Sequence, residues 1–185
     1  LDPPLPSEAV QSLTRALQDP DGEARITAIW ALGSSGDPAV TATLLPLFES
    51  PDAGIRKMVV YALGALPGEA QVETLKTALQ DTEADVRWNA AVALARHASH
   101  DGVSVLGQML DRAHVEQTVK RDVAANEDMD PVADVMISGI RAAAVLREPK
   151  LRASIEGLSQ SDRSMKVRQA ALAALKEMGS GTASN

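Results

Sequence analysis

The sequence predicts an all-α solenoid of about five antiparallel helix pairs, with an insertion in the fourth. Three observations predict it. The chain repeats itself without a gap at a period of 31 residues. Each copy carries apolar residues at helical spacing on both sides of a turn signal. Aromatic residues make up only 2% of the 185 residues. A core short of aromatics is filled by Leu, Val, Ile and Ala, which suits thin helical layers better than a β-sandwich.

The repeat shows directly in the segments 13–33 (LTRALQDPDGEARITAIWALG), 44–64 (LLPLFESPDAGIRKMVVYALG) and 75–95 (LKTALQDTEADVRWNAAVALA). Leu13, Leu44 and Leu75 coincide and Leu106 continues the series; Arg25, Arg56 and Arg87 coincide, as do Leu32, Leu63 and Leu94. Each copy reads as a first helix A, with Val72, Leu75 and Leu79 as its stripe in the third copy, then a start signal and a second helix B. In Asp19-Pro20-Asp21 and Ser50-Pro51-Asp52 a capping residue precedes a proline at the first helical position and an acid in the first turn. Asp81-Thr82-Glu83 does the same without proline. The B helices are expected to end near Gly33 and Gly64, and the segment 35–40 to cap the next A helix.

A fourth A helix is read over 102–112, after which the period breaks. Residues 113–130 are polar, with Val115, Val119 and Val123 as a thin stripe, and read as a solvated loop with one frayed helical turn or as a partner-specific arm. A B-like helix resumes over 131–146, and a last pair spans 149–160 and 167–178, with Arg168 where the other arginines sit. The expected repeats are about 7–36, 37–67, 68–98, 101–147 with the insertion 113–130, and 149–178, in a single domain ending in a flexible tail 179–185.

One helix pair cannot bury its apolar face alone, whereas stacked pairs share a core. The A helices are expected on the convex side and the B helices on the concave side, the surface such folds offer to partners.

A turn Asp or Ser followed six residues later by arginine, then by an Ala-rich stretch ending in Leu, resembles HEAT repeats, and most of all their short bacterial, PBS-lyase-like subgroup. The resemblance is strong over 9–110 and weaker over 131–178. It implies a ladder between the turn acid of one repeat and the B-helix arginine of its neighbour, at Asp19, Asp81, Arg25, Arg56, Arg87 and Arg168. Ser50 replaces the acid in the second repeat, and Gly139 stands at the arginine position of the fourth, where the ladder is expected to lapse.

Composition bounds the function. The net charge of −7 argues against nucleic acid and anionic membranes, which need a basic patch. Without cysteine there is no disulfide, thiolate site or cysteine nucleophile. No apolar run is long enough to span a bilayer. The start at Leu1, in LDPPLP, reads as a cut or processed end, so membrane association is expected only through an upstream segment. His97, His100 and Asp101 lie close in sequence, but His114 is the sole further histidine and no acidic cluster converges on them; they read as a solvated loop rather than a metal site. Iron-binding hydroxylases among HEAT-like proteins carry His-Glu steps, and this chain has none. Met109, Met129 and Met136 read as core fillers. No catalytic, cofactor or metal residue is expected.

Stepping 100° per residue from the B-helix arginine puts positions −1, +3, +4, +6 and +7 on one side. In the third repeat these are Val86, Ala90, Ala91, Ala93 and Leu94, the core side. Positions +1 and +5 point away: Ile26 and Trp30, Lys57 and Tyr61, Trp88 and Val92. Three of the four aromatic residues fall on this face. Aromatic rings bury much area at low entropic cost, so they are the usual interface anchors. The expected site is a groove of Trp30, Tyr61 and Trp88, with Ile26 and Val92 beside them and Lys57, Asn89 and Arg96 as its rim. The expected function is a non-enzymatic scaffold or adaptor that binds a protein or peptide; the alternative is an accessory subunit, lyase-like or a maturation factor, that holds a substrate protein for an enzyme.

Overall fold

The computed structural model describes residues 5–119 and 130–179, which are helical with no strand among them. The chain divides into two compact units, Leu1–His97 and Ala98–Asn185.

In the first unit, α1 (Ser7–Ala16) pairs with α2 (Gly22–Ser34). The second A segment is not one helix. It is a 3-10 turn Pro38–Val40, the single turn α3 (Thr41–Leu44) and a second 3-10 stretch Leu45–Glu49. Pro46 removes an amide donor and crowds the preceding turn, which breaks a helix there. Then come α4 (Ala53–Ala65), α5 (Val72–Ala78) and α6 (Ala84–Arg96). The B helices pack in series, α2 on α4 and α4 on α6. Leu32, Leu63 and Leu94, which share one repeat position, are all fully buried between these layers. Leu44 and Leu75 are fully buried too. Leu13 is only half-buried, because the first A helix has a neighbour on one side alone.

The glycines expected to end the B helices instead lie inside them. A Cβ on Gly33 would stand 2.4 Å from Ala62 Cβ, and one on Gly64 would stand 2.5 Å from Ala93 Cβ. The B helices therefore touch backbone to backbone near their C-terminal ends. The sharp turns fall later, at Gly36 and Gly68, which adopt positive φ.

The B helices also begin later than expected. Asp21 and Asp52, not Asp19 and Ser50, are the N-caps: their carboxylates accept from Glu23 N and Gly54 N. Pro20 and Pro51 lie before the helix, not in its first turn.

In the second unit α7 (Val103–Met109) and α8 (Arg112–Thr118) pack on α9 (Pro131–Leu146). Helix α11 (Met165–Gly179) packs on α9 and on α10 (Pro149–Ser161). Its core holds Leu106, Met109, Val115, Met136, Ile140, Ile155 and Val167. The start of the insertion is not a loop. Asp111 caps α8 by accepting from His114 N, and α8 buries Val115, while Val119 is half-buried. Val123 and Met129, the insertion over 120–129 and the tail from 180 lie outside the described residues. Among those described, no helix is long and apolar enough to cross a membrane.

Candidate interaction surface

The arginines of the repeat do two jobs, and both follow from the planar five-donor guanidinium. The first is local. Arg25 Nη1 donates to the carbonyls of Asp19 and Pro20 at 2.7 and 3.1 Å. Arg56 Nη1 does the same to Ser50 and Pro51, and Arg87 Nη1 to Asp81 and Thr82. The turn carbonyls just before each helix are thereby satisfied by a side chain.

The second job joins repeats. Arg56 donates Nε and Nη2 to the two carboxylate oxygens of Asp81, at 2.8 and 3.0 Å, a bidentate pair. The pair is almost dry, with the side chains 14% and 6% exposed. The hydrogen bond from Arg56 holds Asp81 below the usual carboxylate range, against the opposing pull of burial. In the second unit the ladder does not lapse as Gly139 suggests. Arg112, at the start of α8 and outside the repeat pattern, donates Nε and Nη2 to Asp162 at 2.8 and 2.7 Å. Burial pushes Asp162 up, but the bonds from Arg112 and from Ser164 N bring it below its ordinary value. Gly139 serves packing instead: a Cβ there would meet Met109 Cβ at 2.7 Å.

On the opposite side of the B helices, Trp30 and Tyr61 hold the same position in successive repeats and are 50% and 40% exposed. The Arg96 guanidinium lies over the Tyr61 ring, 5.7 Å from its centroid. Lys57 Nζ lies 3.6 Å from Asp85 Oδ2. Ile26, Val92 and Asn89 are half-buried, and Asn89 donates to the Asp85 carbonyl. Trp88 departs from the expectation: it is buried, with 4% of its surface exposed. Position +1 of a B helix faces the first turn of the next helix in line. Ile26 reaches Gly54 in this way, and Lys57 reaches Asp85. Trp88 stands at the same position of α6 and is buried, whereas Trp30 and Tyr61 at position +5 stay open.

His97 and His100 are held by separate partners, and the buried Nε2 of His114 has none among the described residues. His97 Nε2 lies 3.1 Å from the Leu63 carbonyl and 3.3 Å from Gln71 Nε2. The fully buried Gln71 amide also donates to the carbonyls of Leu66 and Gly68, so the two side chains close the C-terminal end of α4. Nothing in the sequence around Gln71 signals this. His100 Nδ1 lies 2.8 Å from Glu148 Oε2, and that hydrogen bond lowers the buried Glu148 carboxyl, helped by the Lys150 amide. Among the described residues no three His, Cys, Asp or Glu side chains form a group able to hold a metal. Met109 and Met136 are buried in the core.

The chain matches the family model of HEAT repeats over residues 4–63 and 41–127. No curated protein matches it. Its fold resembles that of the complex of CpcE and CpcF of phycocyanin lyase from Nostoc sp. PCC7120. The TM-score is 0.68 at 20% identity, covering 97% of this chain and 68% of that one. An engineered protein has a TM-score of 0.57 at 22% identity, covering 93% of this chain and 80% of that one. These likenesses establish the α-solenoid fold class, and the match over more than half of its length shows that the chain belongs to the HEAT-repeat family.

Proposed function

We propose that this protein is a non-enzymatic interaction module that binds a protein or peptide on the exposed face of its B helices. The observation that carries this is the pair Trp30 and Tyr61, two large aromatic side chains left open at the same position of adjacent repeats. A folded chain with four aromatic residues has little reason to expose two of them unless they are covered by something else. Arg96 over Tyr61, with Lys57 near Asp85, supplies the polar rim. Trp88, being buried, is not one of the anchors. The acidic charge speaks for a protein partner rather than nucleic acid.

A second reading is supported by the fold likeness to a two-protein lyase complex. The module then holds a substrate protein for an enzyme and adds no chemistry of its own. The two readings share the same surface and differ in what sits on it.

The test places a photo-crosslinking amino acid at Trp30 or Tyr61 in the native organism and identifies the adduct. Trp30→Ala with Tyr61→Ala should abolish binding of that adduct partner while the protein stays folded. The loss of stability from Trp30→Ala should be well below the ~3–5 kcal/mol of a buried Trp→Ala, whereas Trp88→Ala should cost that amount. A double variant that binds the partner at full affinity would refute the surface. An adduct that is an enzyme or its substrate favours the second reading.

A further inference from the structure

The ladder in the first unit has a rung with one side missing. The Arg56–Asp81 pair spans 25 positions. The equivalent partner of Arg25 is Ser50, also 25 positions on. Ser50 keeps the local half of the acid's role: its Oγ accepts from Asp52 N, as Asp81 Oδ1 accepts from Glu83 N. It carries no carboxylate to give Arg25. Among the described residues, Arg25 Nε and Nη2 have no hydrogen-bond partner.

The guanidinium is nevertheless set in place. Arg25 Nη1 makes the same two bonds to its turn carbonyls that Arg56 Nη1 makes to its own. The free edge of Arg25 therefore occupies the place from which Arg56 clamps a carboxylate. A cleft of about 280 Å³ opens there, lined by Arg25 and Ser50, with Leu17, Ile29, Leu47 and Ile55 among its apolar walls. Gln18 adds an amide at the rim. Asp52 also lines it, but its Oδ1 is engaged by Gly54 N at the start of α4.

We infer that this cleft is a carboxylate-binding notch, taking the side-chain carboxylate of an Asp or Glu from a partner protein. Three features select that ligand. The free edge is a planar two-donor fork, which matches a carboxylate bidentately. The cleft of about 280 Å³ lies at the small end of the ~300–1,000 Å³ of ligand sites and has room for an acidic side chain. Its apolar walls offer contact to the methylene groups of such a side chain. The notch is independent of Trp30: on α2 the two positions are five residues, or about 140°, apart.

The test uses the whole chain with ¹⁵N-labelled arginine, following the Nε–Hε signals in NMR. Acetate and acetyl-aspartate amide are titrated separately, against chloride at equal ionic strength. One signal, assigned through Arg25→Lys, should shift saturably. The Arg56 signal, already paired, should not. Ser50→Asp should supply the missing acid, abolish the response and raise the melting temperature; Ser50→Ala should keep it. Acetyl-aspartate amide binding at least about tenfold tighter than acetate supports a protein side chain, since the walls then add contact. Equal affinities point to a free small carboxylate as the ligand and overturn the assignment to a partner side chain. An Arg25 signal that ignores both anions, or a response that survives in Ser50→Asp, overturns the notch itself.

Discussion

At the scale of the residue, a single guanidinium explains two features that a pattern shows only as one letter. The Arg recurring every 31 residues was legible, but of the expected rungs among the described residues only Arg56 with Asp81 forms, while Arg25, Arg87 and Arg168 bond to their own turn carbonyls. The bonds to the turn carbonyls were not legible, because the backbone of a turn leaves no mark on the spacing of side chains. Trp88 fails for a related reason. A helical wheel separates one face of a helix from the other but carries no information on what packs against each face, and Trp88 is buried on a side the wheel leaves open. The same residue-level chemistry sets an acid limit. Asp81, Asp162 and Glu148 are all held below their ordinary values, by Arg56, by Arg112 against burial, and by His100. The unfolded chain binds these protons more readily than the folded one. Their contribution is thus complete above about pH 4–4.5 and is lost as pH falls through the depressed folded values. Asp81→Asn should lower stability at pH 7 by about 2–3 kcal/mol, because Arg56 loses its charged partner in a nearly dry site. It should also flatten the decline below about pH 4. Urea midpoints measured at each pH check both; a variant that keeps the wild-type acid slope shows that Asp81 does not contribute to it.

At the scale of the element, the B helices were legible in type and number, and their ends were not. The Asp-Pro and Ser-Pro steps look like starts, but the helix waits for Asp21 and Asp52, whose carboxylates accept from its first free amides. Gly33 and Gly64 look like stops, and their real work is contact: the neighbouring backbone leaves no room for a methyl group. The broken second A segment follows from Pro46, a visible signal that the period-31 alignment averages away. Helix α8 was read as no more than a frayed turn, because its apolar stripe is thin and Val115 is its one fully buried position. The glycine contact makes a prediction with an unusual sign. Alanine is a better helix former than glycine by ~1 kcal/mol, so Gly64→Ala raises intrinsic helicity. Its Cβ nonetheless forces α4 away from α6 at Ala93, and such overpacking costs about 1–3 kcal/mol. The variant should be less stable in urea than the wild type. If it is more stable, the helices part freely there and the close contact is not a constraint.

At the scale of the whole molecule, a repeat protein holds itself together by local terms, each repeat supported by its neighbours. The pairs Arg56–Asp81 and Arg112–Asp162 are such terms, one in each compact unit. Both tryptophans, Trp30 and Trp88, belong to the unit Leu1–His97. Their fluorescence is therefore read from residues of that unit, while far-UV circular dichroism reports helix in both. This separation makes the additive picture testable. Asp162→Asn removes the partner of Arg112 and leaves every contact of the first unit in place. The circular dichroism transition should broaden and begin at lower denaturant, as helix in the second unit melts early. The tryptophan transition should keep its wild-type midpoint. Two probes that separate in the variant show stability summed from local terms, with cooperativity that breaks between units. Two probes that move together to a lower midpoint show one cooperative unit, and the chain then folds as a single block in spite of its repeats.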